Sequence, residues 1–458
     1  MNQYGSAKYV SKRSWIPSLA TICVFSTLFV SGVLPAAPAT GSARDIRGVW
    51  QGALVVNTQV IHIVFRLRTD RAGQRQELNI IEQGPASIPV SGVTQDGDKV
   101  ELSVVAIHGS YKGKLSRDGA TLEGNWTVGP TVPLVLHRAT PSTAWKLDPS
   151  PHTVHFVTVD HDVKLEVLDW GGTGRPLVLL TGLGENAHTY DQFAPKLAAS
   201  YHVVGITRRG FGASSVPATG YSPDRLGDDV LEVVAALKLS RPVMVGHSIA
   251  GEELSDIGVR HPEKVAGLIY LDAGYWYAFY NPATPNLVID QNDVRTKLDA
   301  LSGNHSEVVD VKELANTDLP RLTKELQEVA KEHPTARPGD AVLFYNGAPA
   351  PIALSEIARQ WRRFTAIESV PILAVFADPH APDLGMSENM DSAARAALEA
   401  QDYARTETQV AAFEHAMPAA RVVRLAHADH VVYRSNEADV LREINAFIAK
   451  LPPVEVSK

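Results

Sequence analysis

The sequence has very little cysteine, with Cys23 as the only one in 458 residues. Disulfides, cysteine nucleophiles and thiolate metal sites are therefore excluded for the chain beyond it. An excess of basic residues is also missing, since 43 Lys and Arg face 51 Asp and Glu and give a net charge of -8. This balance excludes nucleic acid as an expected partner. Hydrophobic residues make up 45% of the chain, enough to bury a large core and too many for a disordered protein.

Charge is scarce at the N-terminus. Lys8, Lys12 and Arg13 are the only charged residues before Arg44, and an uncharged, largely apolar run from Trp15 to Val33 follows them, then alanines and prolines. This order is typical of a secretory signal peptide. The run is close to the roughly 20 residues that span a bilayer, so an uncleaved membrane anchor is the alternative. We expect residues 1–43 to be one or the other, and the working part of the protein to be extracytoplasmic, periplasmic or secreted.

In the next region, apolar and polar residues alternate in short runs. Residues 45–138 show this period of two, as in Ile61-His62-Ile63-Val64-Phe65-Arg66, with turn signals such as Asp96-Gly97-Asp98 between the runs. The pattern predicts a small antiparallel β barrel or sandwich. We assign no chemistry to it.

A linker and a different pattern follow. Residues 139–152 contain three prolines and read as a linker. Beyond them, short and nearly continuous apolar runs alternate with helical stretches such as 223–238. Buried strands alternating with helices predict an α/β class, with a mostly parallel doubly wound sheet covered on both faces.

One serine lies where such a sheet exposes a nucleophile. The apolar strand Val243–Val245 runs into Gly246-His247-Ser248-Ile249-Ala250-Gly251, and a helix-compatible segment follows. A nucleophile at a sharp strand-to-helix turn needs small neighbours, because the tight backbone leaves no room for side chains. Gly246 meets this need, while Ala250 stands where the pattern has glycine. The pattern predicts Ser248 as the nucleophile.

Residues 153–451 resemble an α/β-hydrolase domain, preceded here by the small β domain. The resemblance rests on four segments: Leu179-Leu180-Thr181-Gly182-Leu183-Gly184, in which Thr181 replaces the family's oxyanion histidine, Arg209-Gly210-Phe211-Gly212-Ala213-Ser214, the Ser248 turn, and Ala428-Asp429-His430. It implies that the backbone amides of Leu183 and Ile249 form the oxyanion hole.

The catalytic base and acid follow the last strands. His430 comes after the final apolar strand, which places it at the same sheet edge as Ser248. The acid stays open between Asp378, after the strand Ile372–Phe376, and Asp272, after the preceding strand. The usual register of the family points to His380 instead of an acid. Asp383 is a third, weaker candidate, and His427 lacks partners for a metal site.

Nearly a hundred residues separate Asp272 from the next strand, and they contain helical periodicity. This insertion resembles the cap of many α/β hydrolases, here at about residues 275–365. Its aromatic segment Tyr275-Trp276-Tyr277-Ala278-Phe279-Tyr280 either packs the cap on the core or lines an acyl pocket.

These features together predict an exported serine hydrolase that cleaves a carboxylic ester or related acyl bond of a small molecule, without cofactor or metal. Serine at position 248 disfavours the dehalogenases and epoxide hydrolases of the family, which use aspartate. The alternatives are a cofactor-free haloperoxidase or perhydrolase on the same residues, or a non-catalytic binding module.

Overall fold

The computed structural model describes residues 45–56, 59–68, 76–84, 87–128, 131–284, 286–302, 309–332, 344–345, 348–349, 352–380 and 392–453. The predicted signal peptide or anchor and Asp383 lie outside these ranges. Within them, no helix has the length and apolar character needed to cross a membrane.

The N-terminal region is a nine-stranded antiparallel sheet, and its neighbouring strands pair in the order β4-β3-β2-β1-β9-β8-β7-β6-β5. Its strands are β1 (Gly48–Val56), β2 (Gln59–Leu67), β3 (Glu77–Ile80), β4 (Ile88–Pro89), β5 (Gly92–Asp96), β6 (Lys99–Val104), β7 (Gly109–Leu115), β8 (Thr121–Thr127) and β9 (Thr131–Ala139).

The two end strands of this sheet, β4 and β5, are consecutive in the chain, and the residues between them join the two ends of the sheet. Val90 donates a backbone hydrogen bond to Gln76 on one side, and Ser91 donates one to Ser103 on the other. A single apolar core fills the interior, with Trp50 and Phe65 fully buried. The predicted small antiparallel β domain is confirmed.

The second sheet has eight strands in the order β10-β11-β13-β12-β14-β15-β18-β19. They are β10 (Thr153–Asp160), β11 (Val163–Gly171), β12 (Pro176–Leu180), β13 (His202–Ile206), β14 (Val243–His247), β15 (Gly267–Leu271), β18 (Ile372–Ala377) and β19 (Arg421–Leu425), while β16 (Phe344–Tyr345) and β17 (Ala348–Pro349) form a separate two-residue hairpin. In this sheet order, all neighbouring strands from β13 to β19 run parallel to one another. The pairs β10–β11 and β11–β13 are antiparallel.

Helices cover both faces of this sheet. They are α1 (Ala194–Ala198), α2 (Pro223–Ala236), α3 (Gly251–Arg260), α4 (Leu287–Leu301), α5 (Val311–Glu313), α6 (Leu319–Glu332), α7 (Ile352–Arg359), α8 (Ser392–Ala416), α9 (Val432–Ser435) and α10 (Glu437–Ile448). Successive strand residues alternate between two cores: Leu177 and Leu179 of β12 belong to one, and Val178 and Leu180 to the other. This double burial explains the continuous apolar runs and confirms the predicted α/β class.

The insertion between β15 and β18 carries α4 to α7. The parallel strands β14, β15 and β18 end at one edge of the sheet, and the residues that follow their last positions are Ser248, Asp272 and Asp378. The candidate site lies there.

Candidate active site

Ser248 occupies a strained turn between β14 and α3. Its φ angle is +53°, in the left-handed region that side-chain-bearing residues rarely adopt. A short 3-10 turn, Ser248–Ala250, leads directly into α3. Strain of this kind is kept where the surrounding structure holds it, and it clusters at functional sites.

Small residues make this turn possible. A Cβ atom on Gly246 would lie 2.9 Å from Leu254 Cδ1, and one on Gly251 would lie 2.0 Å from the carbonyl oxygen of Ala273. Ala250 is fully buried, so its methyl group fits at the position where the pattern has glycine. Gly251, which the sequence pattern did not single out for packing, lets α3 approach the chain just after Asp272.

Ser248, His430 and Asp272 form a connected chain of contacts. His430 Nε2 lies 2.9 Å from Ser248 Oγ, and His430 Nδ1 lies 2.6 Å from Asp272 Oδ2. These distances lie within hydrogen-bonding range on both sides of the imidazole. The His430 side chain is 44% exposed and that of Asp272 is 0% exposed, so the base is open to solvent while the acid is enclosed.

The surroundings of Asp272 keep it ionised. Ala377 donates its backbone N–H to Asp272 Oδ1 over 3.0 Å, and the Tyr275 hydroxyl donates to the same oxygen over 2.8 Å. Burial alone would raise the pKa of Asp272, but the hydrogen bonds and charges of His380 and His430 outweigh it and hold the pKa well below its usual range. A charged acid can therefore orient the His430 ring.

Asp378, the other acid left open by the sequence, does not contact His430. Its Oδ2 accepts a hydrogen bond from Arg424 Nη1 over 2.7 Å. Burial and the neighbouring Glu407 raise its pKa in spite of Arg424. Of the two candidates the structure brings only Asp272 to the imidazole, and it gives Asp378 the role of an ion-pair partner.

The two amides expected to bind an oxyanion are those of Ile249 and Leu183. Ile249 follows Ser248 directly, and Leu183 lies in the turn after β12. A Cβ on Gly182 would lie 2.7 Å from Glu185 Oε2 and 2.9 Å from His247 Nδ1, so only glycine fits before Leu183. The Leu183 amide forms no hydrogen bond to another described residue.

A buried arginine ties this turn to α3. Arg208 donates from Nη2 to the carbonyl oxygen of Thr181 over 2.9 Å and from Nη1 to that of Gly182 over 3.3 Å. Its guanidinium also binds Glu253 on α3 through two nitrogens. One rigid side chain thus connects the Leu183 turn with the helix that follows Ser248.

The residue before the nucleophile makes a similar connection. His247 Nδ1 lies 3.2 Å from Glu185 Oε2, and its Nε2 lies 3.1 Å from the backbone carbonyl oxygen of His430. Burial opposes ionisation of Glu185, but the charge and hydrogen bond of His247 dominate and lower the pKa of Glu185 to about 2. His247 therefore spans the oxyanion turn and the loop that carries the base.

A second imidazole shares the acid. His380 Nε2 lies 2.9 Å from Asp272 Oδ2, and its Nδ1 lies 2.9 Å from Asp402 Oδ2 on α8. Burial alone would lower the pKa of His380, but the two carboxylates raise it to about 10. A protonated His380 therefore contacts the same oxygen of Asp272 as His430 does. The sequence contained one indication that His380 belongs to the site, because it occupies the position after β18 at which the family has its catalytic acid.

Glu252 is a buried acid four residues after Ser248. Neither of its carboxyl oxygens has a hydrogen-bond partner among the described residues. Burial, reinforced by Glu253, raises its pKa well above the usual range. Burial therefore favours the neutral form of Glu252.

The aromatic segment of the insertion packs against other rings and also contacts the residues around Ser248. Trp276 packs edge-on against Trp361 with ring centroids 4.1 Å apart, and Phe279 packs on Phe413 at 5.9 Å. Tyr275 instead binds Asp272. Burial raises the pKa of Tyr277, while the Ser248 hydroxyl lies close enough to act on that pKa in the opposite direction. Two tyrosines of the segment therefore reach the site.

Comparison with known proteins agrees with this geometry. A family model described as alpha/beta hydrolase fold matches residues 175–343, which include the Leu183 turn, Ser248 and Asp272. Over these residues the chain is similar to the α/β-hydrolase superfamily. The resemblance inferred from the sequence is thereby confirmed, and the eight-stranded sheet with Ser248 at its edge is the α/β-hydrolase sheet of this chain.

Proteins similar to this chain carry varied names. A fluoroacetate dehalogenase of a Burkholderia species is 36% identical over 22% of this chain and 35% of its own. Epoxide hydrolase 4 of Mus musculus is 26% identical over 37% of this chain and 55% of its own. A bromoperoxidase structure from Bacillus anthracis is 18% identical, with a TM-score of 0.42 over 65% of this chain and 100% of that one. The chain thus spans about a third to a half of the curated relatives' length.

Proposed function

We propose that this protein is a serine hydrolase that cleaves a carboxylic ester or a related acyl bond of a small molecule. The observation that carries the proposal is the unbroken series of contacts from Ser248 Oγ through His430 to Asp272. A serine hydroxyl is a weak nucleophile until an adjacent base takes its proton, and His430 Nε2 is at the right distance to do so.

The reaction proceeds in two steps. Ser248 Oγ attacks the carbonyl carbon while its proton passes to His430, and Asp272 stabilises the resulting imidazolium. The oxygen that becomes negative accepts hydrogen bonds from the amides of Leu183 and Ile249, each worth about 3 kcal/mol in comparable sites. His430 then returns the proton to the leaving alcohol. Water, deprotonated by His430, attacks the acyl-enzyme and releases the acid.

Residue identity separates this proposal from the reactions named in several relatives. Some matched proteins are named dehalogenases and epoxide hydrolases. Position 248 of this chain is serine, whereas the family resemblance implies an aspartate nucleophile for dehalogenases and epoxide hydrolases. Acyl transfer through serine is therefore the better supported reaction.

Replacing Ser248 with alanine tests the proposal. Hydrolysis of p-nitrophenyl acetate should fall by roughly 10⁴-fold or more in Ser248→Ala, because the nucleophile is lost. Ser222→Ala, in the segment just before α2, is the matched control and should retain wild-type turnover. Unchanged hydrolysis by Ser248→Ala would contradict the proposal, provided that both variants unfold at the wild-type temperature.

A second candidate on the same residues is cofactor-free halide oxidation through a peracid. It is favoured by matches to proteins named as haloperoxidases. Hydrogen peroxide would replace water in the second step and release a peracid from the acyl-enzyme. Monochlorodimedone halogenation that exceeds ester hydrolysis in rate, and that disappears in Ser248→Ala, would favour this reaction over simple hydrolysis.

We also propose export of the protein, on the basis of residues 1–43. Their charged, apolar and small-residue order is that of a signal peptide. Fractionation of expressing bacteria should place the protein outside the cytoplasm. A mature mass that lacks this segment would identify a cleaved signal, and a full-length chain in the membrane fraction would identify an anchor. Full-length protein in the cytoplasm would contradict export.

A further inference from the structure

A second cluster of histidine and carboxylate side chains lies away from Ser248. Asp148 and His152 belong to the linker before β10. His188 lies in the short helical turn Ala187–Tyr190 that follows the Leu183 segment, and Asp191 comes directly after that turn. One ligand atom from each of the four residues lies within 4.8 Å of those of the other three. We call these four residues the junction cluster.

His152 is buried, and its ring nitrogens have no well-aligned hydrogen bond to another described residue. Its side chain is 0% exposed. Nδ1 lies 3.2 Å from Asp191 Oδ1 and Nε2 lies 3.2 Å from Asp148 Oδ2, yet neither ring nitrogen has the geometry of a hydrogen bond to any described residue. One oxygen each of Asp148 and Asp191 is also unsatisfied. A buried polar group without a partner is destabilising, so a partner outside the polypeptide is called for.

The charge at this point has the sign that attracts a cation. His188 Nδ1 lies 3.0 Å from Asp191 Oδ2, and its Nε2 lies 3.8 Å from the buried Glu166 Oε1. Three carboxylates therefore surround two imidazoles. The carboxylates repel one another, and the protein interior screens this repulsion less than water does. A divalent cation would offset this excess of negative charge.

We propose that the junction cluster binds a zinc ion through His152, His188, Asp148 and Asp191. Two imidazole nitrogens and two carboxylate oxygens are ligands that zinc accepts, and four protein ligands make a closed, structural site. Ligand atoms around tetrahedral zinc are about 3.3 Å apart. The present spacing of up to 4.8 Å therefore requires side-chain rotations that move the ligands inward by an ångström or so.

The ion would fasten the β domain and linker to the segment that carries the oxyanion turn. Asn186 donates from Nδ2 to the carbonyl oxygen of Gln83 in the β domain over 2.9 Å. Gly84 lies so close to His188 that a Cβ there would be 2.4 Å from His188 Nε2. Zinc held by His188 and by the linker would thus stabilise this contact, five residues beyond Leu183.

Zinc content of the purified full chain tests this proposal. After removal of metals with EDTA, addition of zinc sulfate and desalting, mass spectrometry of the metal should find one zinc per chain. Zinc should also raise the unfolding temperature. His152→Ala should lower the zinc affinity roughly tenfold or more, with loss of the thermal shift. Asp148→Asn, whose side chain is 29% exposed, should do the same and serves if His152→Ala fails to fold.

His155→Ala is the matched control, because His155 lies three residues along on β10 with a side chain that is 41% exposed. It should keep both the zinc and the thermal shift. A wild-type chain that retains no zinc would overturn the proposal. Zinc that persists in His152→Ala and Asp148→Asn but is lost in His380→Gln would also overturn it, since the ion would then belong to the Asp272 site.

Discussion

The molecule contains two histidine–carboxylate clusters that differ in how their ring nitrogens are satisfied. At the active site, His430 lies between Ser248 and Asp272, and His380 lies between Asp272 and Asp402, with a partner at each of the four ring nitrogens. In the junction cluster, both ring nitrogens of His152 lack a hydrogen bond to a described residue. The same residue types can therefore serve proton transfer in one place and metal binding in another.

Location accounts for part of this difference. The active-site residues follow neighbouring parallel strands, where the ends of β14, β15 and β18 converge and a ligand has access. The junction cluster draws half of its residues from an irregular linker. A sheet edge fixes side chains relative to one another, whereas a linker needs an additional bond to hold it in place.

The largest expected effect concerns the acid. Asp272→Asn should lower kcat/KM for ester hydrolysis by roughly 10³- to 10⁴-fold, because an amide cannot orient His430 in the required tautomer. Asparagine tolerates the φ of +47° at this position, so the fold should persist. Steady-state kinetics with matched circular dichroism spectra checks this.

Asp378→Asn is the control for that measurement. It removes the ion pair with Arg424 and should change kcat/KM by less than about threefold, with a loss of stability of about 1 kcal/mol. If Asp378→Asn were the more damaging variant, the assignment of the acid to Asp272 would be wrong.

The next effect concerns the buried Arg208. Arg208→Lys keeps the positive charge but cannot bind Glu253 and the Thr181 and Gly182 carbonyls at once. We expect kcat to fall about tenfold with little change in KM, since an oxyanion donor is needed most in the transition state. A change in KM alone would show that Arg208 does not position the oxyanion turn.

A smaller effect is expected from His380. His380→Gln removes a cation that faces Asp272, so the carboxylate should hold the proton of His430 more strongly. The acid limb of the kcat/KM profile should then move by about one pH unit towards higher pH. An unchanged profile with a lower thermal stability would give His380 a purely structural role.

His380→Gln should also lower the stability of the fold in a pH-dependent way. The pKa of His380 is raised from 6.5 to about 10, so its protonated ring contributes fully to folding below pH 6.5 and the contribution is lost as the pH rises through about 10. Wild-type protein should therefore exceed His380→Gln by a few kcal/mol at pH 6, and the difference should shrink towards pH 10. Urea denaturation at both pH values measures it, and a constant difference would contradict the raised pKa.

Much of this site could be predicted from the sequence, because strands that are buried on both faces leave continuous apolar runs and place their ends together. Ser248 and His430 were located in this way. The choice between Asp272 and Asp378 could not be made, since both follow adjacent strands of the sheet. It depends on the Ala377 amide and Tyr275 hydroxyl that hold Asp272, which are tertiary contacts.

Other features lacked a sequence signal. Asp402 belongs to α8, an alanine-rich helix without a clear apolar stripe that sequence analysis did not identify. The junction cluster combines two short segments 36 positions apart in the chain, Asp148 with His152 and His188 with Asp191. Neither segment is distinctive alone, and only the path of the linker brings them together.

The central claim is that Ser248 attacks the substrate, and covalent labelling tests it most directly. A fluorophosphonate probe incubated with the wild-type protein, followed by proteolysis and mass spectrometry, should place the adduct on the peptide that contains Ser248, and His430→Ala should slow labelling by orders of magnitude. An adduct on a different serine, or ester turnover that continues after complete labelling elsewhere, would contradict the account.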